Sequence, residues 1–201
     1  MNITSAMVKE LRDKTGAGIM DCKEALNTSA GDFEKAIDFL RKKGMSAATK
    51  RSSKAAKDGV VAQYIHMGGK IGVLVEVNCE TDFVAKTEHF QIMAKDLAMH
   101  VAAANPLYVK PDEIPEDVIN REKEIYKSQA LAEKKPEKIW DKIIEGKLKK
   151  YYEDVCLLNQ KFIKDTDITV ETLVNNMIAK TGENIIIRRF ARFQLGEELK
   201  K

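Results

Sequence analysis

Three carboxylates and an aromatic ring fall within eight positions near the middle of this 201-residue chain: Glu76, Glu80, Asp82 and Phe83. These carboxylate-rich positions and the aromatic sit at the join of a strand and a helix. Such joins commonly present side chains from a rigid support. The same stretch also has a plain structural reading. Thr81 suits an N-cap, Asp82 suits the first turn of a helix, and Phe83 or Val84 suits a core anchor.

Other reactive residue types are scattered. Cys22, Cys79 and Cys156 are odd in number and far apart, so the spacing gives neither a disulfide framework nor a metal motif and fits reduced thiols. His66, His89 and His100 lack a second His or a Cys at ligand spacing, and a packed or hydrogen-bonded role is expected for His100. There is no phosphate-cradling Gly loop, no His/Glu metal motif and no nucleophile elbow. Neither catalytic residues nor a cofactor are therefore expected. With 34 basic and 31 acidic residues, the net charge of +3 does not suggest a dedicated nucleic-acid binder. Two local clusters keep an RNA-associated reading open. One is Lys50, Arg51, Lys54 and Lys57; the other is Lys147, Lys149 and Lys150 with Tyr151 and Tyr152. Against it, the first cluster has no interleaved aromatic to stack bases. The start of the chain has no signal-peptide core, and no apolar run is long enough to cross a membrane, so a cytoplasmic protein is expected.

The elements that must position these residues are legible from periodicity. Thr4 reads as the cap of a first helix, with Ile3 and Val8 as a staple, ending near Gly16. A second helix follows Gly18 with Ile19, Cys22 and Leu26 inward. A third presents Phe33, Ala36, Ile37 and Leu40 and is expected to stop at Gly44. The stretch from 45 to 58, basic and poor in apolar residues, reads as a linker, with a partly helical linker as the alternative. Val60–Met67 and Lys70–Cys79 flank Gly68-Gly69 as a hairpin. A helix is expected from Glu88 to Ala104. A helical hairpin arm is expected over about 116–159, broken at Lys135-Pro136. Thr169 begins a last helix, and Ile185–Leu195 supplies a third strand. The expectation is an α+β fold built as a three-helix module (1–50), a basic linker (51–58), a sheet-and-helix core with its arm (59–196) and a tail (197–201).

Two blocks carry a resemblance to a known family. Leu11 through Leu26 and Glu76 through Lys86 are similar throughout to bacterial translation elongation factor Ts, whose members exchange nucleotide on elongation factor Tu. Cys156-Leu157-Leu158-Asn159-Gln160 and Gly182-Glu183-Asn184-Ile185 are similar more loosely. Lys161 departs from the pattern, since relatives commonly have proline there. The resemblance implies a UBA-like N-terminal module that docks through Leu11, Arg12, Thr15, Gly16, Met20 and Lys23. It implies an exchange wedge at Thr81, Asp82, Phe83 and Val84, aimed at the magnesium and phosphate end of the partner's nucleotide site. Binding would compete with GDP and GTP and involve no covalent chemistry. Because the chain resembles the short form of the family, with a single core half, a homodimer is also expected. The alternative is an arm folded back over the free sheet face.

Overall fold

A computed structural model describes residues 3–198. Three helices open the chain: α1 (Ser5–Thr15), α2 (Ile19–Thr28) and α3 (Phe33–Arg51). Thr4 caps α1 by accepting from the Met7 amide, and Gly16 ends it in the left-handed conformation. Val8, Leu11, Cys22, Ala25, Leu26, Ala36 and Leu40 form the buried centre of this module. Ile19, expected inward, is instead 56% exposed. It opens α2, and the burial stripe of that helix runs through Cys22, Ala25 and Leu26.

The third helix departs most from the sequence expectation. Gly44 does not end it; α3 continues through Met45–Ala48 to Arg51. The glycine is buried where α3 crosses a later helix. A Cβ placed on it would stand 3.6 Å from the backbone oxygen of Asn175. The basic stretch read as linker from residue 45 is thus helical for its first half. Ala48 there packs on the core, and the connection that remains runs from Ser52 to Lys57.

The core is built on β1 (Asp58–Ile65) and β2 (Ile71–Cys79), joined antiparallel. Gly68 and Gly69 both take positive φ in the turn (85° and 67°), as two adjacent glycines permit without strain. β5 (Ile186–Gln194) pairs antiparallel with the other edge of β2, giving the order β1-β2-β5. A bulge at Glu76/Val77 puts two consecutive arginines within reach of one carboxylate. Arg189 Nε lies 2.7 Å and Arg188 Nη1 3.5 Å from Glu76. Val73, Val75, Val77 and Cys79 point to one face and are buried.

Against that face lies α5 (Glu88–Ala104), capped by Thr87 and ended by Asn105 in the left-handed region. Phe90, Ala94, Leu97 and Val101 form its fully buried stripe. α8 (Val170–Thr181) completes the core through Val170, Val174 and Ile178. The arm is a pair of helices, α6 (Glu116–Ala132) and α7 (Trp140–Val155), turning at Lys135-Pro136, where the Trp140 indole donates to the Lys135 carbonyl at 2.9 Å. A small hairpin, β3 (Lys161–Phe162) with β4 (Asp165–Thr169), had no counterpart in the sequence reading. The architecture is α+β, with a three-helix module ahead of a three-stranded antiparallel sheet. Among the described residues, no helix is long and apolar enough to cross a membrane.

Candidate functional site

The turn after β2 is a helix of its own, α4 (Asp82–Ala85), only four residues long. So short a helix has little stability of its own, and its shape comes from what holds it. From inside, Ala85 is buried and Val84 packs on the core, so Val84 rather than Phe83 is the anchor. Phe83, one position earlier, points away and is 80% exposed. At that exposure the ring contributes little to the chain's own core and is open to contact from outside.

The start of the turn is pinned by a residue far along the chain. Once β2 has ended at Cys79, the next two amides have left the sheet ladder. Both donate to one carboxylate oxygen: Glu80 N and Thr81 N each lie 3.1 Å from Glu183 Oε2. The Thr81 hydroxyl donates to Glu183 Oε1 at 2.7 Å while accepting from the Val84 amide at 3.5 Å, which is the helix cap. The neighbouring Asn184 amide donates to Glu80 Oε1 at 2.7 Å, and its side-chain amide donates to the Lys54 carbonyl at 2.7 Å. Arg51, the last residue of α3, reaches the same Glu80 oxygen at 3.6 Å.

Asp82 is half exposed and pairs with Lys86 one helical turn on, at 2.5 Å. The hydrogen bond from the Lys86 ammonium, backed by its charge, holds the Asp82 carboxyl below the usual carboxylate range. The side chain is therefore an anion at neutral pH. A surface pair of this kind contributes little to stability, so Asp82 can exchange Lys86 for another partner at small cost. Cys79, beneath the turn, is buried; desolvation and the Glu183 charge push its thiol up to about 11, and it stays protonated.

The residues implied for docking lie on α1, α2 and the turn between them. Arg12, Gly16, Met20 and Lys23 are exposed, Met20 by 73%. Thr15 is half-buried, and its hydroxyl bonds the Leu11 carbonyl at 2.7 Å and the Ala17 amide at 3.3 Å, holding the turn. Leu11 is fully buried among the module's own helices and supports this surface from behind. Exposed Ile19 beside Met20 adds an apolar contact that the periodicity had assigned inward. The residues implied for docking thus lie on α1, α2 and the turn between them, those implied for exchange on and just before α4, and Arg51 at the end of α3 contacts Glu80 beside the latter. Glu183, Asn184 and Lys86 were missed as site residues. For Lys86 the signal existed in its spacing of four from Asp82; for Glu183, only its place in a block of family similarity.

Fold and site together define a two-part α+β protein with a helical module ahead of its core and a pinned loop that exposes its aromatic ring. The Elongation factor TS family profile matches residues 4–197, and the chain belongs to that family. It is 82% identical over 201 residues to Elongation factor Ts of Syntrophus aciditrophicus (strain SB), covering the whole of both chains. It is 60% identical to Elongation factor Ts of Geotalea uraniireducens (strain Rf4), covering all of this chain and 93% of that one. Against Elongation factor Ts of Syntrophomonas wolfei subsp. wolfei it is 59% identical over 199 residues, covering 99% of this chain and 93% of the relative.

Proposed function

We propose that this chain is a guanine nucleotide exchange factor for elongation factor Tu and works in the cytoplasm during translation. Family membership supports the activity, and exposed Phe83 on its pinned turn is the observation that supports the mechanism. The module of residues 1–50 docks through the α1–α2 surface. Phe83 then enters an apolar gap in the partner, and Asp82 brings a carboxylate close to the bound Mg²⁺ and its waters. Mg²⁺ needs near-ideal octahedral geometry, so a small displacement weakens it. The nucleotide phosphates lose their counter-ion, and GDP leaves. No covalent bond changes, and linkage requires nucleotide to weaken factor binding by the same ratio. We further propose that the chain pairs with itself through the sheet, so that each dimer holds two partner molecules.

The RNA reading rests on the exposed Lys50, Lys54, Lys57, Lys149 and Lys150, while two members of its clusters are engaged within the chain. Arg51 is engaged by Glu80. Lys147 bonds Gln129 at 2.5 Å and lies over the Tyr126 ring.

Stopped-flow release of a fluorescent GDP analogue from elongation factor Tu tests the proposal. Catalytic amounts of the chain should accelerate release, and excess nucleotide should dissociate the complex. Phe83→Ala should slow exchange by about 30-fold, the equivalent of roughly 2 kcal/mol for an interface anchor, with an unchanged thermal midpoint. A buried phenylalanine would instead cost about 3–5 kcal/mol of stability, so a large melting loss with normal exchange would overturn the wedge.

A further inference from the structure

We infer that Glu183 and Asn184 are positioning residues for nucleotide exchange, forming a clamp that fixes the Glu80–Val84 turn against α3 and the connection to it. This rests on the exchange reading of Phe83 given above and extends it to residues far along the chain, beyond α8. Glu183 accepts three hydrogen bonds, two from backbone amides and one from the Thr81 hydroxyl. The third sets the direction of the cap. With its proton committed to Glu183, the Thr81 oxygen presents a lone pair to the Val84 amide. That bond caps the first turn of α4 alongside the Ala85 amide's bond to the Thr81 carbonyl at 3.3 Å, and the first turn carries Asp82 and Phe83.

The Glu183 carboxylate bonds Glu80 and Thr81 and makes no hydrogen bond to Asp82 or Phe83. It acts on them through Thr81. Asn184 does the second half of the work. It is buried, and its two donors bridge Glu80 and the Lys54 carbonyl, tying the turn to the segment that follows α3. Arg51 closes the link from α3 itself. Docking by the helical module and insertion by Phe83 thereby share one frame of reference. A side chain misplaced by about 1 Å can cost up to about a hundredfold in rate. A hydrogen-bonded frame of this size is suited to prevent that.

The consequence is a split between rate and affinity. Removing the clamp leaves the docking surface intact, so KM for the elongation factor Tu–GDP complex should hold while kcat falls. Glu183→Ala in the full chain should lower kcat for GDP release about tenfold, with KM within about twofold. Glu183→Gln keeps one acceptor oxygen and should recover part of the loss. In the free protein, the Glu80 and Thr81 amides should exchange hydrogen faster in both variants, while the β2 amides should not change. Phe83→Ala in the same assay separates the two layers of argument. If it exchanges normally, the wedge reading falls and takes this proposal with it. If Phe83→Ala is slow but Glu183→Ala keeps full kcat, or raises KM alone, the clamp is overturned and the wedge stands. Should Glu183→Ala fail to fold, Glu183→Gln decides: unchanged kcat with unprotected amides overturns the proposal, and reduced kcat at constant KM supports it.

Discussion

His100 lies on α5 with none of its surface exposed, and both ring nitrogens are occupied. The Ile163 amide donates to Nδ1 at 3.3 Å, so Nδ1 is an acceptor; Nε2 then carries the proton and donates to Gln160 Oε1 at 3.0 Å. Gln160 is oriented by its own donation to the Asp154 carbonyl at 2.8 Å. This arrangement suits only the neutral ring, and burial pushes the imidazole below its ordinary value. The unfolded chain protonates His100 below about pH 6.5, whereas the folded chain resists. The unfolded state therefore binds more protons in acid. Stability is complete above that pH and falls as pH drops below it, by at most about 1.4 kcal/mol per pH unit. Thermal melts between pH 7 and pH 5 should show this decline, and His100→Gln, less stable at neutral pH, should show a smaller one. Parallel curves would show that His100 accepts its proton without cost. At the same scale, spacing alone could not say which of Phe83 and Val84 was the anchor. A helix of four residues is too short for periodicity to mark an inward face.

Where α3 crosses α8, Gly44 is buried in the middle of its helix, facing Asn175 and Asn176. In sequence, a glycine that ends a helix and a glycine buried mid-helix at a crossing read alike; only the position of α8 distinguishes them. The hairpin at Gly68-Gly69 was legible because two adjacent glycines between alternating strands have few other uses. Its connection is longer than the two-residue turn expected: the His66 amide donates to the Ile71 carbonyl, and residues 67–70 lie outside the strands. The β3–β4 hairpin was not, since two- and five-residue strands carry almost no alternation. A Cβ at position 44 makes ordinary contacts at 3.6 Å with the Asn175 carbonyl and the Asn176 side chain. Gly44→Ala should therefore be tolerated, with a helix-propensity gain of up to about 1 kcal/mol. Gly44→Leu must place three more carbons against the α8 backbone and should destabilise by about 1–3 kcal/mol. Urea unfolding of both variants checks this. Equal stability of alanine and leucine would show that α3 can move away from α8 without loss. The same experiment bears on the proposed function, in which α3 links the docking helices to the Phe83 turn.

The molecule as a whole leaves one side of its sheet bare. On the face opposite α5, β1 contributes Val61 and Ile65, β2 contributes Leu74, and β5 contributes Phe193, the last 65% exposed. Met67 and Leu195 extend the apolar surface at the turn end of the sheet. With α6 and α7 in place these residues remain exposed, so the arm does not fold back over the face, as the competing sequence expectation had it. Contiguous apolar surface of this kind is uncommon on a solitary soluble chain. A second copy related by a two-fold axis offers the same residues in self-complementary order, and two-fold dimers are the commonest closed assemblies. Glu76 with Arg188 and Arg189 borders the patch and would limit how far two sheets can slide past one another. A dimer through this face should give a light-scattering mass twice that of one chain at micromolar concentration. Phe193→Glu should return it to a single-chain mass, because a carboxylate would then be buried without a partner. The Phe83 turn is assigned a different role, so the monomeric variant should still accelerate GDP release, at a rate per chain close to the parent's. A single-chain mass for the unmodified protein would remove the dimer. If Phe193→Glu then also weakened the complex with elongation factor Tu, the bare face would belong to that partner instead.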